Sequence, residues 1–484
     1  MPAVASRVAV VGGGPCGSVA ATMLRAMGLQ VKLFDKGERL GGRASTRLAE
    51  SGGALTALSF DHGAQFLRAS HPAIQRLVHS PLAKDLFAPW EGRFGILGPR
   101  GGLLPIQVVR TSLGGGGLVR DRTPRAASAE DGPAVYGVEG GEGDDDADAL
   151  QGLAELDFCS FLERDEQLLV SAPGAQPWQE LCERTDVEIA HSTSVVDATR
   201  GPSGWVVRSQ STMPQAGSLS ETKEEVFDQL VLATHSSSGL ASQVLGSLLS
   251  DPQHASQEMT PFLPALSELL TKFQNHENDP VFTLLAAYPS PTGVPFDAAV
   301  PHGCDKLRWI CRDSSKPGTL QRGSLLLITV HGQWPISARH VRYVIAGRER
   351  EDGVECWVAH CSRAAALQYI AAAPVAAGRP PRQVMENVAG EMGDALHLWL
   401  QAAARSNGHV LEEKPIFLRA HRWGSGLATA PLGLSEPALS FEPWNLVVAG
   451  DYLGYDDGML EGALLSGLEA ANRVAGWASD SDII

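Results

Sequence analysis

Three glycines near the N-terminus, Gly12, Gly14 and Gly17, have the spacing G-x-G-x-x-G. The first permits a tight turn, the second lets a pyrophosphate approach the backbone, and the third lets the following helix pack closely on the preceding strand. Asp35 comes 18 residues after the last glycine, where its carboxylate would accept hydrogen bonds from an adenosine ribose and repel a 2′-phosphate. The pattern predicts a site for FAD or NAD rather than NADP; the alternative is a glycine-rich turn in an ordinary α/β domain.

These residues need a buried strand before them and a helix after them. The continuous apolar run over 8–11 predicts a strand buried on both faces of a parallel sheet. A helix is predicted over 16–27 with Gly28 as its cap, and a second buried strand over 31–34 that ends at Asp35. The N-terminus of this helix would offer free N–H groups and a positive dipole end to a phosphate.

Residues that adjoin the glycines and the acid complete this part of the predicted cofactor site. Pro15 and Cys16 stand at the start of the predicted helix, and Lys36 follows Asp35. A helix N-terminus lowers the pKa of a thiol, and this is the expectation for Cys16. A small residue that packs in a tight turn is nevertheless the simpler interpretation of this cysteine, rather than a redox role.

The run from Asp35 to Arg43 adds two adjacent glycines, Gly41 and Gly42, and two arginines. Gly41 and Gly42 would let another backbone segment close over the pyrophosphate, and Arg43 would neutralise it through a bidentate contact. The spacing acid-x-x-x-R-x-G-G-R resembles the extension found in the flavin-containing amine oxidase superfamily, which implies FAD rather than NAD. The alternative is a Gly-Gly turn with a solvent-exposed arginine.

The composition limits the classes of partner. The chain has 484 residues, a formal net charge of −16, 44% hydrophobic residues and 19% charged residues, as in a soluble globular protein of two or three domains. The acidic balance argues against nucleic acid or an anionic membrane as a partner. The longest apolar stretch, 364–378, is interrupted by Gln368 and Pro374 and is too short to span a bilayer.

Targeting and cysteine usage favour a cytoplasmic protein. About six residues precede the first predicted strand, which leaves no room for a signal or transit peptide. The seven cysteines are scattered and have no metal-ligand spacing with histidine, so we expect a reduced chain and no metal site.

The segment 60–66, Phe-Asp-His-Gly-Ala-Gln-Phe, resembles the one that passes the flavin ring in the same superfamily. The resemblance implies that Gly63 and Ala64 form a flat wall beside the isoalloxazine and that Gln65 bonds the ring or the substrate. His62 could take part in catalysis, although a single histidine is more often a structural hydrogen-bonding residue.

Further segments are similar to the renalase-like branch of this superfamily: 90–93, 309–318, 357–360 and 421–423. In the last segment, Trp423 could wall the flavin or the substrate, or belong to the core, and the two interpretations have equal weight. Lys316 could be a cation of the substrate pocket, but a lysine in a surface turn is the favoured interpretation.

A closing motif resembles the C-terminal flavin-binding segment of the superfamily. A buried strand over 446–449 delivers Asp451 towards the ribityl–phosphate region, and a helix is predicted to begin near Met459. The N-terminus of this helix, which includes Glu461, Gly462 and Ala463, would point at the N1–C2 edge of the flavin and stabilise its reduced anion. Val195 matches a valine whose backbone meets the adenine in relatives.

The predicted fold class is α/β, a two-domain FAD-dependent oxidoreductase fold. A Rossmann-like FAD domain on a parallel sheet is combined with an α+β substrate domain on a mixed or antiparallel sheet. The composition-biased stretch 120–156 is predicted to be a disordered acidic insert. The FAD domain comprises 1–80, 173–235 and 413–484, and the substrate domain comprises 81–172 and 236–412.

The resemblance implies an enzyme in which FAD, bound non-covalently, takes a hydride from a small molecule and passes electrons to O2 or another acceptor. A dihydronicotinamide-type isomer or an amine is the implied substrate. No cysteine follows Cys361 to attach the flavin, and only Lys316 and Lys414 stand near the place of the flavin-N5 lysine of amine oxidases. An amine oxidase proper, a desaturase, an NAD-dependent dehydrogenase and a non-catalytic FAD-binding module are the alternatives. The catalytic base and the oligomeric state are not predicted.

Overall fold

The computed structural model describes residues 6–50, 57–105, 168–172, 174–213, 221–235, 239–250, 260–276, 278–317, 353–372, 380–428, 432, 434, 436–453 and 460–481. The predicted acidic insert, 120–156, lies outside these residues.

The strands, in chain order, are β1 (Arg7–Val11), β2 (Gln30–Phe34), β3 (Thr46–Glu50), β4 (Ala57–Asp61), β5 (Leu67–Arg68), β6 (Phe87–Pro89), β7 (Phe94–Leu97), β8 (Leu103–Pro105), β9 (Leu168–Ser171), β10 (Glu188–Ala190), β11 (Thr193–Gly201), β12 (Gly204–Ser211), β13 (Thr222–Phe227), β14 (Gln229–Leu232), β15 (Asn278–Tyr288), β16 (Ala298–Pro301), β17 (Leu307–Arg312), β18 (Glu355–Cys361), β19 (Phe417–Ala428), β20 (Ala438–Phe441) and β21 (Leu446–Ala449). The helices are α1 (Pro15–Ala26), α2 (Pro72–Val78), α3 (Pro177–Arg184), α4 (Leu240–Ser250), α5 (Leu263–Asn275), α6 (Arg363–Ala372), α7 (Arg382–Ser406) and α8 (Leu460–Ser481).

The first sheet has six strands in the order β10-β2-β1-β14-β21-β20. All neighbouring strands in it are parallel except β20 and β21. Val8 and Val10 of the central strand β1 pack with α1 and α8 on one face, and Ala9 and Val11 pack with α4 and α5 on the other. Burial on both faces explains the continuous apolar run of this strand.

Helix α1 begins and ends where the local sequence dictates. Pro15 occupies its first turn, where the missing N–H costs nothing, and Gly14 is the N-cap. At the other end Gly28 has a φ of +94°, the N–H of Gly28 bonds the carbonyl of Arg25, and the N–H of Leu29 bonds that of Leu24. This is a Schellman motif, so the predicted role of Gly28 in ending the helix agrees with the structure.

The second large sheet has seven strands in the order β19-β15-β18-β17-β16-β7-β8. Its pairs are antiparallel except β16 with β7. One face packs on Phe60 of the β3–β4 hairpin, and the other is covered by α6 and α7. The sheet is therefore mixed, and α6 and α7 form a helical layer on one side of it.

Two details of the predicted organisation differ from this packing. The prediction places 236–412 in the substrate domain, but the apolar side chains of α4 and α5 share a core with β1 and β14. It places 413–484 in the last FAD segment, but β19 pairs with β15 in the seven-stranded sheet.

None of the helices in the described part of the chain is both long and apolar enough to cross a membrane.

Candidate functional site

The glycine loop between β1 and α1 leaves open space on one side only. Gly12 has a φ of +108°, and a Cβ there would lie 2.5 Å from the carbonyl oxygen of Ala233. A Cβ at Gly17 would lie 1.9 Å from the carbonyl oxygen of Gly12, so the helix can approach the strand only without a side chain. A Cβ at Gly14 would meet no described atom within 4 Å. The open side at Gly14 faces the N-terminus of α1, as a pyrophosphate requires.

The second glycine pair folds back onto this loop. Gly41 donates its N–H to the carbonyl of Gly13 at 2.8 Å, and a Cβ at Gly42 would lie 3.3 Å from the Cα of Gly14. Gly41 and Gly42 have φ values of +125° and +49°, which favour glycine. Trp178 of α3 donates its indole N–H to the carbonyl of Ala44 and so stabilises the turn. This residue is not among those predicted from the sequence.

Asp35 stands at the end of β2, as predicted, and organises both loops. Its two carboxylate oxygens accept the N–H groups of Gly13 and Gly37, each at 2.7 Å. Burial raises the pKa of Asp35, while these N–H groups act to lower it. A carboxylate oxygen has two lone-pair sites, so each oxygen retains one for a ribose hydroxyl. Val195 lies half-buried on β11, whose first residue, Thr193, bonds the carbonyl of Asp35.

Arg43 and Asp451 meet at this site from opposite ends of the chain. The guanidinium Nη2 of Arg43 donates to Oδ1 of Asp451 at 2.6 Å. Asp451 opens a single helical turn after β21, and the preceding Gly450 donates its N–H to Oγ of Ser466 in α8. The closing motif is thereby bound to both the second loop and the last helix.

The first turn of α8 packs on the same region, and its residue Glu461 is bonded to the segment that leads into α2. Its buried carboxylate accepts Oγ of Ser70 and the backbone N–H of His71, each at 2.6 Å. The side chain predicted to contact the cofactor therefore holds the start of α2. Gly462 and Ala463 are buried beside it.

Helix α8 also lies against the start of α1. A Cβ at Gly467 would come within 2.3 Å of the carbonyl oxygen of Cys16, so the two helices touch through their backbones. Burial raises the pKa of the Cys16 thiol to about 12. The expectation of a lowered pKa is wrong, because desolvation outweighs Ser466 and Arg43, which both act to lower it.

The wall predicted beside the flavin begins at Gly63. The N–H of Ala64 bonds the carbonyl of Arg43 at 2.8 Å, and a Cβ at Gly63 would lie 1.9 Å from that oxygen. The glycine is thus required by the close approach of the second loop. Ala64 and Gln65 border a small cavity of 30 Å³ together with Leu460 of α8.

Gln65 is buried with its amide held in one orientation. Its Nε2 donates to the carbonyls of Asp61 and Gly63 at 2.6 and 2.8 Å. Its Oε1 accepts from Nζ of Lys316 at 3.1 Å and from Sγ of Cys311 at 3.0 Å. Because both ends of its amide are hydrogen-bonded within the protein, Gln65 acts to position the segment around it.

Lys316 is 1% exposed, so its assignment to a surface turn is wrong. Its ammonium lies 2.8 Å from Asp313 and 3.4 Å from Asp61, and 5.2 Å from the ring centroid of Trp90. Burial opposes its charge, but the two carboxylates outweigh burial and hold the pKa of Lys316 above its ordinary value. The Asp-x-x-Lys spacing could have indicated the pair with Asp313; the contact with Asp61 spans 255 residues.

His62, His421 and Trp423 form an aromatic cluster, with ring centroids 4.4 to 4.8 Å apart. The indole N–H of Trp423 donates to the carbonyl of His62 at 3.0 Å, and Nδ1 of His62 lies 2.8 Å from the carbonyl of Ser45. Burial first, then the charge of Arg47, lowers the pKa of His62 to about 4. Burial, His62 and Arg47 lower that of His421 to about 3, so both rings are neutral at neutral pH.

No cluster of His, Cys, Asp and Glu side chains suited to a metal ion occurs among the described residues.

A family model described as an NAD(P)-binding Rossmann-like domain matches residues 10–80. Among solved structures, cyclohexylamine oxidase from Brevibacterium oxydans IH-35A is 14% identical, covers 98% of this chain and 99% of its own, and has a TM-score of 0.54. Putrescine oxidase bound to putrescine is 13% identical, covers 97% of this chain and 99% of its own, and has a TM-score of 0.52. The chain shares the fold of these oxidases.

The same fold occurs in an oxidoreductase from Methanosarcina mazei, which is 11% identical, covers 96% of this chain and 100% of its own, and has a TM-score of 0.52. The predicted fold class, a Rossmann-like domain joined to a second domain on a mixed sheet, is therefore confirmed. At this level of sequence identity the likeness shows the fold.

Proposed function

We propose that this chain is an oxidoreductase that binds FAD non-covalently. The observation that carries the proposal is the ion pair between Arg43 and Asp451, because it joins the closing motif to the second loop, which is itself bonded to the glycine loop. A nicotinamide dehydrogenase has no need of this second loop. When bound, FAD would accept a hydride from a small-molecule substrate and pass electrons to O2 or another acceptor.

The chain offers donors or acceptors for three parts of this cofactor: the pyrophosphate, the adenosine ribose and the N1–C2 edge of the flavin. The N-terminus of α1 and the open side at Gly14 suit the pyrophosphate, and Arg43 neutralises its charge. Asp35 retains acceptor sites for the ribose. The N-terminus of α8 brings backbone N–H groups and a positive dipole end to the region predicted for the N1–C2 edge.

The side chains predicted on the substrate side exclude water and fix geometry. His62, His421 and Trp423 form a packed aromatic wall in which both imidazoles are neutral. Gln65 is fixed by Lys316, and neither residue reaches out of the buried network. Hydride transfer needs no base when the donor is a dihydropyridine, which agrees with a wall of neutral groups.

The renalase-like motifs favour a dihydronicotinamide-type isomer as the substrate. One observation favours an amine instead. Lys414 is exposed, but Lys316 is buried and bonded to Gln65, next to the predicted flavin wall. A buried lysine near the predicted flavin wall agrees with the flavin-N5 lysine of amine oxidases, so an amine oxidase proper is the second candidate.

An anaerobic absorbance titration of the purified protein separates these candidates. NADH, its dihydronicotinamide isomers and a small panel of amines are added separately while the oxidised flavin band is followed. Rapid bleaching by the isomers alone supports the first proposal, and bleaching by amines supports the second.

One result would contradict FAD binding, and another would contradict both candidate substrates. A protein without a flavin band, which gains none when FAD is added, does not bind FAD. A yellow protein that none of these compounds bleaches is a non-catalytic FAD-binding module or takes a different substrate, such as that of a desaturase.

A further inference from the structure

A positively charged cleft of 1140 Å³ runs along β19, between β3 and the first turns of α7. Four arginines line it: Arg47, Arg382, Arg419 and Arg422. The cleft contrasts with the chain as a whole, which has a formal net charge of −16. A local concentration of cations on an acidic protein attracts anions that the rest of the surface repels.

The positive charge of this cleft is not balanced within the described part of the chain. Glu386, the acid in the lining, lies 2.7 Å from Arg382 and is thereby neutralised. Arg47, Arg419 and Arg422 form no ion pair with a described carboxylate. Guanidinium groups are permanently charged, so they cannot relieve this imbalance by losing a proton.

Arg47 and Arg419 are the pair best placed to act together. Arg47 is half-buried on β3, and Arg419 stands two residues before His421, so both Arg419 and His421 project from the same face of β19. The pKa of Arg47 is lowered by burial and by the charge of Arg419. Arg419 is exposed, so water screens this repulsion in part, and a bound anion would offset the remainder.

The inner end of the cleft adjoins the predicted substrate wall. Nη1 of Arg47 lies 3.1 Å from Nδ1 of His421, and the ring centroid of His421 lies 4.7 Å from that of His62. His62 directly precedes the Gly63–Ala64 segment. A molecule that reached this wall through the cleft would pass both arginines.

We propose that Arg47 and Arg419 bind an anionic group, a carboxylate or a phosphate, of the substrate and so make the enzyme selective for anionic substrates. This inference rests on the proposed function, since it names the class of substrate that the oxidoreductase would take. The planar guanidinium groups suit either anion through paired N–H donors.

Isothermal titration of the full-length protein tests the proposal with three probes of similar size: benzoate, phenyl phosphate and the neutral benzamide. We expect at least one anion to bind about tenfold or more tightly than benzamide, with weaker binding as ionic strength rises. If benzoate binds more tightly than phenyl phosphate, the site prefers a carboxylate; the reverse order shows that it prefers a phosphate. Arg47→Gln and Arg419→Gln should each weaken binding of that anion about fivefold or more and leave benzamide unchanged.

Arg76→Gln is the matched control, because Arg76 is an exposed arginine on α2 outside the cleft. Equal affinity for the anions and benzamide overturns the proposal, as does anion binding that survives both cleft substitutions. Melting temperatures of the variants show whether they are folded. Flavin content is measured separately, so a chain that binds anions through Arg47 and Arg419 but holds no FAD would contradict the proposed function and not the anion site.

Discussion

Arg43 and Asp451 lie 408 residues apart in the chain, and their side chains meet at 2.6 Å. The pair joins the second glycine loop to the closing motif, beside the site that we propose for the pyrophosphate of FAD. Both residues are in part shielded from water, so the contact is stronger than that of an exposed ion pair.

Reversing one charge of this pair should abolish cofactor binding. Arg43→Glu removes the cation that faces the pyrophosphate and places a second carboxylate beside Asp451. We expect FAD affinity to fall about 100-fold or more, which corresponds to about 2.7 kcal/mol. Flavin absorbance after gel filtration, followed by FAD titration, measures this. Arg76→Glu is the control for charge reversal alone, and an Arg43→Glu protein as yellow as the wild type would exclude the pyrophosphate role.

Replacing Asp35 tests the ribose contact separately. Asp35→Ala removes the acceptor of two backbone N–H groups and of the predicted ribose bonds. The expected loss is about 1–3 kcal/mol of FAD binding, or roughly 5- to 150-fold in affinity. Asp35→Asn, which keeps one acceptor oxygen, should fall between Asp35→Ala and the wild type in the same titration. Unchanged affinity of Asp35→Ala would remove Asp35 from the site.

Removing the charge of Lys316 should destabilise the fold. Lys316→Met leaves the carboxylate of Asp313, which is 1% exposed, without its cation. Loss of one partner of a buried pair costs about 3–5 kcal/mol, so the midpoint of urea unfolding should fall sharply. The double variant Lys316→Met/Asp313→Leu removes both charges and should recover much of the loss. A midpoint unchanged in Lys316→Met would show that the pair contributes little.

The low pKa of His62 predicts a pH dependence of stability. His62 is 6% exposed and its pKa is about 4 in the fold, against about 6.5 in an unfolded chain. Between pH 6.5 and pH 4 the unfolded chain binds a proton at His62 and the folded chain does not. The contribution of neutral His62 to the free energy of unfolding is therefore complete above pH 6.5 and is lost as the pH falls towards 4. The slope from one histidine is at most about 1.4 kcal/mol per pH unit.

The difference between wild type and His62→Gln isolates this contribution. Urea unfolding at several values between pH 7 and pH 5 should show a steeper decline for the wild type than for the variant. Parallel declines of the two proteins would show that His62 is not held neutral by the fold.

The sequence predicts best what a short contiguous segment determines. The glycine loop, the Schellman motif at Gly28 and the position of Asp35 at the end of β2 all follow from local backbone and side-chain requirements. The three motifs predicted to bind the cofactor occur in an order that predicts the fold, because parallel strands bring their carboxyl ends together. These features can therefore be predicted from a single sequence.

Contacts between distant segments explain what the sequence could not predict. The burial of Lys316 depends on Asp61 at the end of β4 and on Trp90, which directly follows β6. The raised pKa of Cys16 depends on α8, which covers the start of α1. The place of β19 depends on its pairing with β15, which no local pattern records.

The order of these motifs also bears on how the protein is made. Asp451 is synthesised 408 residues after Arg43, and the helix that packs on Cys16 through Gly467 follows Asp451. A nascent chain therefore exposes the glycine loop and the uncovered side of α1 until synthesis has passed this helix. The proposed cofactor would have its full set of contacts only from that point onward, so a chain that has not yet reached α8 could not hold FAD as the complete site would.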